Sequence, residues 1–227
     1  MILTGTILSA ILALQSPAND TPPVTEEMPV EAQKIQMPEE ALDGQTQPVS
    51  ESTWQDTELD LLLQKARESL GDDRYPEALD LYIAATDRRP LDERLQYNLG
   101  VAAYRAGDLE TSSRAFERAS NGGDPLITQS ALFNRGNVSY RRALESVERA
   151  RDAQSREQAT QGMADPDTLE DPINALNQAL AHYRDAIICS PETRDARRNA
   201  ELAHRLRKAL EEKQEEQQQE QDQQEQD

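Results

Sequence analysis

The same spacing of small and aromatic residues occurs three times in this chain of 227 residues. In each copy an aromatic residue follows a small residue by four positions, and an alanine follows three positions later. The copies are Ala78–Tyr82–Ala85, Ser112–Phe116–Ala119 and Ala179–Tyr183–Ala186. Steps of four and three place all three side chains on one face of a helix. The first two copies are separated by about 34 residues, which predicts stacked helix pairs rather than a single central core.

A second helix precedes the aromatic spacing and carries a glycine. In the segment YNLGVAAYRAGDLETSSRAFERA, Gly100 lies on the first helix and Gly107 marks the turn to the second. A missing side chain at Gly100 lets the two helices approach closely, and Phe116 fills the space between them. Gly136 and Tyr140 repeat the relation of Gly100 to Tyr104. This helix–turn–helix unit is typical of tetratricopeptide repeats.

The spacing predicts an all-α fold, a solenoid of about three helix pairs followed by a C-terminal capping helix. The repeat domain is expected over 56–213, with an insert at about 142–171 that extends the first helix of the third pair past Ala150. A loop then precedes Pro172, which is expected to start the second helix of that pair. The other expected helices are 58–70, 75–87, 93–106, 109–120 and 193–213.

Both ends of the chain differ in composition from the repeats. Residues 1–18 are apolar and are expected to be a signal peptide, with an uncleaved anchor, a misassigned start or a cytoplasmic tail as alternatives. Residues 19–55 are acidic and rich in proline, which predicts a disordered linker. Trp54 at its end is expected to pack on the first helix. Residues 214–227 contain only Gln, Glu and Asp, which predicts a fraying helix or disorder.

The composition argues against several functions. A net charge of −19 disfavours nucleic acid as a partner, because phosphate binding needs a basic face. Cys189 is the only cysteine, so no intramolecular disulfide is expected. The sequence has no metal-ligand spacing, no phosphate-binding loop and no nucleophile motif. We therefore expect no catalytic residues, no metal and no cofactor.

The first helix of each pair is expected to line the concave side of the stack, where a ligand would bind. With Gly100 and Gly136 as position eight, the inward positions carry amide, aromatic and arginine side chains. Amides hydrogen-bond an extended peptide, aromatics form apolar pockets and arginines pair with carboxylates. The alternative is that the same residues serve packing and solubility. The candidate ligand-binding residues are Arg94, Tyr97, Asn98, Val101, Tyr104, Arg105, Phe133, Asn134, Asn137, Tyr140 and Arg141. The corresponding positions of the capping helix are Asp195, Arg198, Asn199, Leu202 and Arg205.

Three segments together resemble the tetratricopeptide proteins of bacterial Bat (aerotolerance) operons, the BatC/BatE group. They are QYNLGVAAYRAGDLETSSRAFERA, LFNRGNVSYRRAL and EDPINALNQALAHYRDAIICSPETRDARRNAELAHRL. The resemblance implies an exported, periplasmic or inner-membrane adaptor in stress tolerance, working beside von Willebrand factor A-domain proteins. It implies membrane contact only through the N-terminus or the partner. A self-associating structural solenoid and a cochaperone of the cell envelope remain alternatives.

Overall fold

The structure is a computed structural model that describes residues 51–160 and 169–224. These residues form seven α-helices, and within these two ranges there is no β-strand. The helices are α1 (Glu51–Gly71), α2 (Tyr75–Arg88), α3 (Glu93–Ala106), α4 (Leu109–Ser120), α5 (Pro125–Thr160), α6 (Glu170–Cys189) and α7 (Arg194–Gln224). The all-α prediction is therefore confirmed for the described residues.

Each helix packs mainly against the helices before and after it in the chain. Helix α5 also contacts both α3 and α7, and these three helices run in the same direction. Tyr97 on α3 bonds Asn134 on α5, and Tyr104, further along α3, accepts through its backbone carbonyl a hydrogen bond from Arg141. Antiparallel helix pairs therefore lie side by side, with their first helices in a parallel row.

The small residues allow the helices of each pair to approach closely. A Cβ atom at Gly100 would lie 2.7 Å from two ring carbons of Phe116, a distance that real Cβ atoms do not show. The hydroxyl of Ser112 donates a hydrogen bond of 2.9 Å to the backbone carbonyl of Gly100. The fully buried Ala78 and Tyr82 make the equivalent packing against α1. The predicted contact of Gly100 with the second helix is thus confirmed.

The helix boundaries agree with the predictions in the second pair and differ elsewhere. Helices α3 and α4 begin and end at the predicted residues, and α5 continues past Ala150 as expected. Helix α1 begins at Glu51, ahead of the predicted start at Glu58, and α6 begins at Glu170 rather than at Pro172. Helix α7 runs through the Gln- and Glu-rich tail to Gln224. The structure does not describe residues 1–50, most of the loop before α6 or the Trp54 side chain. The predictions made for these parts of the chain are therefore not tested.

Side-chain caps define the ends of the second pair. The Asp92 carboxylate accepts hydrogen bonds from the backbone N–H groups of Arg94 and Leu95, at 3.0 and 3.1 Å. Gly107 ends α3 with φ of 84°, a left-handed conformation that glycine adopts without steric cost. Asp108 then caps α4 by accepting from the backbone N–H of Thr111 at 2.9 Å. These local signals explain why the turn was predictable from the sequence.

The cap at Asp108 makes the stability of α4 depend on pH. The hydrogen bond from Thr111 lowers the pKa of this carboxyl, so the charged form is favoured in the folded state. Its stabilisation is present above the unfolded pKa of about 3.9 and is lost as the pH falls through the lower folded pKa. We expect Asp108→Ala to lower the free energy of unfolding by about 1 kcal/mol at neutral pH. Asp108→Asn should keep the cap and remove this part of the acid dependence, as denaturant titrations at several pH values would show. Equal stability of the wild type and Asp108→Ala at neutral pH would contradict the cap.

Candidate functional site

The structure places the eleven candidate residues on α3 and α5 at different depths. Four of them are buried, with at most 8% of the residue surface exposed: Tyr97, Asn134, Asn137 and Tyr140. Arg94 is exposed. The others are half-buried and lie along the surface of the same two helices; they are Asn98, Val101, Tyr104, Arg105, Phe133 and Arg141. The candidate set therefore forms a buried base and an accessible surface.

The base is a chain of hydrogen bonds that crosses four helices. Asn134 donates through Nδ2 to the hydroxyl of Tyr97 at 3.0 Å, and its Oδ1 accepts from Nδ2 of Asn137 at 3.2 Å. The Oδ1 atom of Asn137 accepts from the Tyr183 hydroxyl at 2.9 Å and from Nδ2 of Asn199 at 3.0 Å. The chain thus joins α3, α5, α6 and α7. Buried polar groups that are hydrogen-bonded in this way fix one relative position of the packed helices.

The hydroxyl groups of Tyr97 and Tyr183, the two tyrosines of the base, remain protonated. Burial raises the pKa of Tyr97, and it raises the pKa of Tyr183 well above its ordinary value. The hydrogen bond from Asn134 opposes the increase at Tyr97 without cancelling it. The hydroxyls therefore act as neutral hydrogen-bonding groups, and the base carries no ionised side chain among its five members.

The three candidate arginines already have partners within the chain. Arg141 donates to the backbone carbonyl of Tyr104 at 3.0 Å, and its guanidinium lies 5.2 Å from the centre of that ring. The guanidinium of Arg105 lies 5.9 Å from the ring centre of Tyr75. Arg94 pairs with Asp124 at 3.8 Å. An acidic ligand would have to compete with or add to these contacts.

The groups that remain accessible lie near the middle of α3 and on α5. Asn98 is half-buried, and no residue in the described ranges hydrogen-bonds its amide. Val101 packs partly on the core beneath it. Phe133 is held against Tyr183, with ring centres 6.0 Å apart. The amide of Asn98 therefore has no hydrogen-bond partner in the described ranges, and Val101 follows it three positions along α3.

Sequence reasoning missed the polar role of Tyr183. It identified this residue only by its aromatic spacing, which Phe116 shares. A usable signal was the hydroxyl itself, because a buried tyrosine generally needs a hydrogen-bond partner where phenylalanine does not. The partner of the Tyr183 hydroxyl is Asn137 on α5, which is in turn hydrogen-bonded to Asn134.

The remaining reactive residues are separated from one another. In the described ranges no group of three or more His, Cys, Asp or Glu residues is arranged to hold a metal ion. Cys189 is exposed with a free thiol. Burial lowers the pKa of His182, which favours the neutral imidazole. Among residues 51–160 and 169–224 no helix combines the length and the apolar character needed to cross a bilayer.

The chain matches no protein-family model, and no curated protein sequence is significantly similar to it.

Proposed function

We propose that this chain is a non-enzymatic adaptor that binds an extended peptide segment of a partner protein along α3 and α5. In this proposal the helix pairs form a tetratricopeptide-type solenoid, and the parallel first helices line its concave side. The amide of Asn98 bonds the peptide backbone, while Val101 and Phe133 contact apolar side chains of the peptide. Arg141 and Tyr104, held together, flank the peptide further along.

The observation that carries the proposal is the hydrogen-bonded base. It connects successive first helices through Tyr97, Asn134, Asn137 and Asn199 and so keeps their outer residues in a constant arrangement. A preformed surface reduces the entropy lost on binding a flexible peptide. The half-buried amide of Asn98 supplies a specific hydrogen-bonding group on that surface.

The biological setting of the proposal comes from the resemblance to the Bat-operon proteins. We propose an exported or inner-membrane location and a von Willebrand factor A-domain protein as the partner. The partner then acts in a stress-tolerance complex, with this chain as its scaffold. Contact with the membrane is through residues 1–18 or through the partner.

Affinity capture from detergent-solubilised membranes tests this function. With the full chain immobilised, we expect one partner in stoichiometric amount. The variant Asn98→Ala/Val101→Ala should capture about tenfold less, because interface positions that matter each contribute more than about 1 kcal/mol. A matched control is Asp80→Ala/Ile83→Ala, which changes a polar and a β-branched residue at the same spacing on the exposed face of α2.

Two outcomes would contradict the proposal. One is the absence of any stoichiometric partner from the wild-type capture. The other is an equal loss of capture in both variants, which would show that α3 has no special part in binding. Thermal melts by circular dichroism should accompany the capture, since Val101 also packs on the core. Tyr140→Ala is unsuited to the test, because Tyr140 is only 5% exposed and its removal leaves a cavity.

A further inference from the structure

Six exposed residues lie along one edge of the helix array, apart from the peptide surface on α3 and α5. Three are aliphatic and lie in or next to the connections between helix pairs: Leu91 is in the α2–α3 connection, Leu126 is the second residue of α5, and Ile188 is the residue before the end of α6. Leu91 is 96% exposed, Leu126 is 73% exposed and Ile188 is 70% exposed. The other three are arginines at the start of α7. We call the six residues the edge set: Leu91, Leu126, Ile188, Arg194, Arg197 and Arg198.

Contacts between the connections show that the edge set lies along one side. The carboxylate of Glu93 accepts from the backbone N–H of Asp124 at 3.2 Å, which places the start of α3 beside the start of α5. Gln129 donates through Nε2 to the Thr193 hydroxyl at 2.8 Å, which places the start of α5 beside the start of α7. The connections α2–α3, α4–α5 and α6–α7 therefore follow one another along the same edge.

The three arginines have no partner in the described part of the chain. No hydrogen bond, ion pair or ring contact engages Arg194, Arg197 or Arg198 there, whereas Arg205 on the same helix pairs with Glu201. Spacings of three and four residues bring them to neighbouring positions on one side of α7. They also stand at a helix N-terminus, where the helix dipole disfavours cations. Their placement therefore does not serve the stability of α7.

The charge of the chain makes this cluster a local exception. The net charge is −19, and most arginines of the described helices contact carboxylates, carbonyls or aromatic rings. Unpaired guanidinium groups at the same edge as exposed aliphatic side chains are complementary to a segment that carries both carboxylates and aliphatic residues. Guanidinium groups bind carboxylates in a bidentate fashion. An anionic bilayer has compatible chemistry, but the acidic remainder of the chain would be repelled by it.

We propose that the edge set binds an acidic, aliphatic segment of a partner protein, as an interaction surface separate from the peptide surface on α3 and α5. The carboxylates of that segment pair with Arg194, Arg197 and Arg198. Its aliphatic side chains pack on Ile188 and Leu126, and on Leu91 when the segment is long enough. The two surfaces then let one chain hold two segments at once. This inference does not depend on the function proposed above.

Fluorescence anisotropy with the full chain tests the edge set. The probe is a fluorescein-labelled peptide of alternating glutamate and leucine, compared with a version in which glutamine replaces glutamate. We expect the acidic probe to bind, and its affinity to fall about tenfold in each of two variants. The variants are Arg194→Gln/Arg197→Gln/Arg198→Gln and Leu126→Ser/Ile188→Ser. The control of equal charge change is Lys65→Gln/Arg114→Gln/Lys208→Gln, which alters exposed cations elsewhere and should leave the affinity unchanged.

Further arms of the experiment distinguish probe binding at the edge set from binding at the peptide surface and from membrane binding. Binding should weaken with added salt and should persist in Asn98→Ala/Val101→Ala, whose two positions belong to the peptide surface. The proposal is overturned if the acidic probe does not bind, if the control variant loses as much affinity as the arginine variant, or if the glutamine probe binds equally well. Tighter binding to phosphatidylglycerol vesicles than to the probe, lost in the arginine variant, would assign the edge to a membrane instead.

Discussion

Gly136→Val is expected to lower the free energy of unfolding by about 3 kcal/mol, the upper end of the range for overpacked cores. A Cβ atom at Gly136 would overlap Cδ1 and Cε1 of Tyr183 and would lie 2.9 Å from Cζ. The ring has no room to move, because Tyr183 is fully buried and its hydroxyl is bonded to Asn137. Valine must therefore separate α5 from α6. Urea denaturation measures the effect directly.

A matched glycine provides the control for this variant. Gly71 ends α1, and a Cβ atom there would have no neighbour within 4 Å. Gly71→Val should change the stability by no more than about 0.5 kcal/mol, as exposed sites generally do. Adding Tyr183→Leu to Gly136→Val should cost less than the sum of the two single changes, because the smaller side chain relieves the overlap. Equal stability of the Gly136 and Gly71 variants would disprove the close approach.

Asn137→Ala is expected to cost about 3 kcal/mol. The change leaves three groups without their partner, namely the Tyr183 hydroxyl, Nδ2 of Asn199 and Oδ1 of Asn134. A buried polar group deprived of its hydrogen bond costs about 1–3 kcal/mol, and Asn137 itself is only 2% exposed. The expected loss is large because one amide serves three helices. The same denaturation measurement applies.

Two comparisons make this second prediction specific. Tyr183→Phe removes a single donor and leaves Asn137 bonded to Asn199, so it should cost only about 1 kcal/mol. Asn98→Ala changes an asparagine on α3 that has no hydrogen bond in the described ranges, and it should stay within about 0.5 kcal/mol of the wild type. If Asn137→Ala is no less stable than Asn98→Ala, the chain of hydrogen bonds does not hold the helices together.

Local signals in the sequence were sufficient to predict the second helix pair. Asp92, Gly107 and Asp108 are capping residues whose effect extends over only a few positions, and α3 and α4 have the predicted bounds. The tail beyond Lys213 lacked such a signal. Glutamine and glutamate are good helix formers, and α7 continues through them after its last buried leucine, Leu210.

The depth of the candidate residues was not predictable from the sequence. Helical spacing assigned Tyr97, Asn134, Asn137 and Tyr140 to the concave side of the stack as ligand-binding positions, whereas in the structure all four are buried. Spacing gives a direction around one helix, but the distance to the next helix depends on side chains from two other segments. Asn199 and Tyr183 lie far along the chain from Asn137, and both donate hydrogen bonds to its side chain. Only the assembled fold shows that the amides of Asn134 and Asn137 already have hydrogen-bond partners within the protein.

The order of contacts along the array bears on how the chain reaches its native state. Each helix packs mainly against the helices immediately before and after it in the chain. Even the hydrogen bonds from α6 and α7 to Asn137 connect residues only 46 and 62 positions apart. Topologies dominated by short sequence separation fold quickly, because little loop-closure entropy is lost before contacts form. During synthesis, a helix pair leaving the ribosome can therefore dock on the pair already outside, before the remainder of the chain has been made.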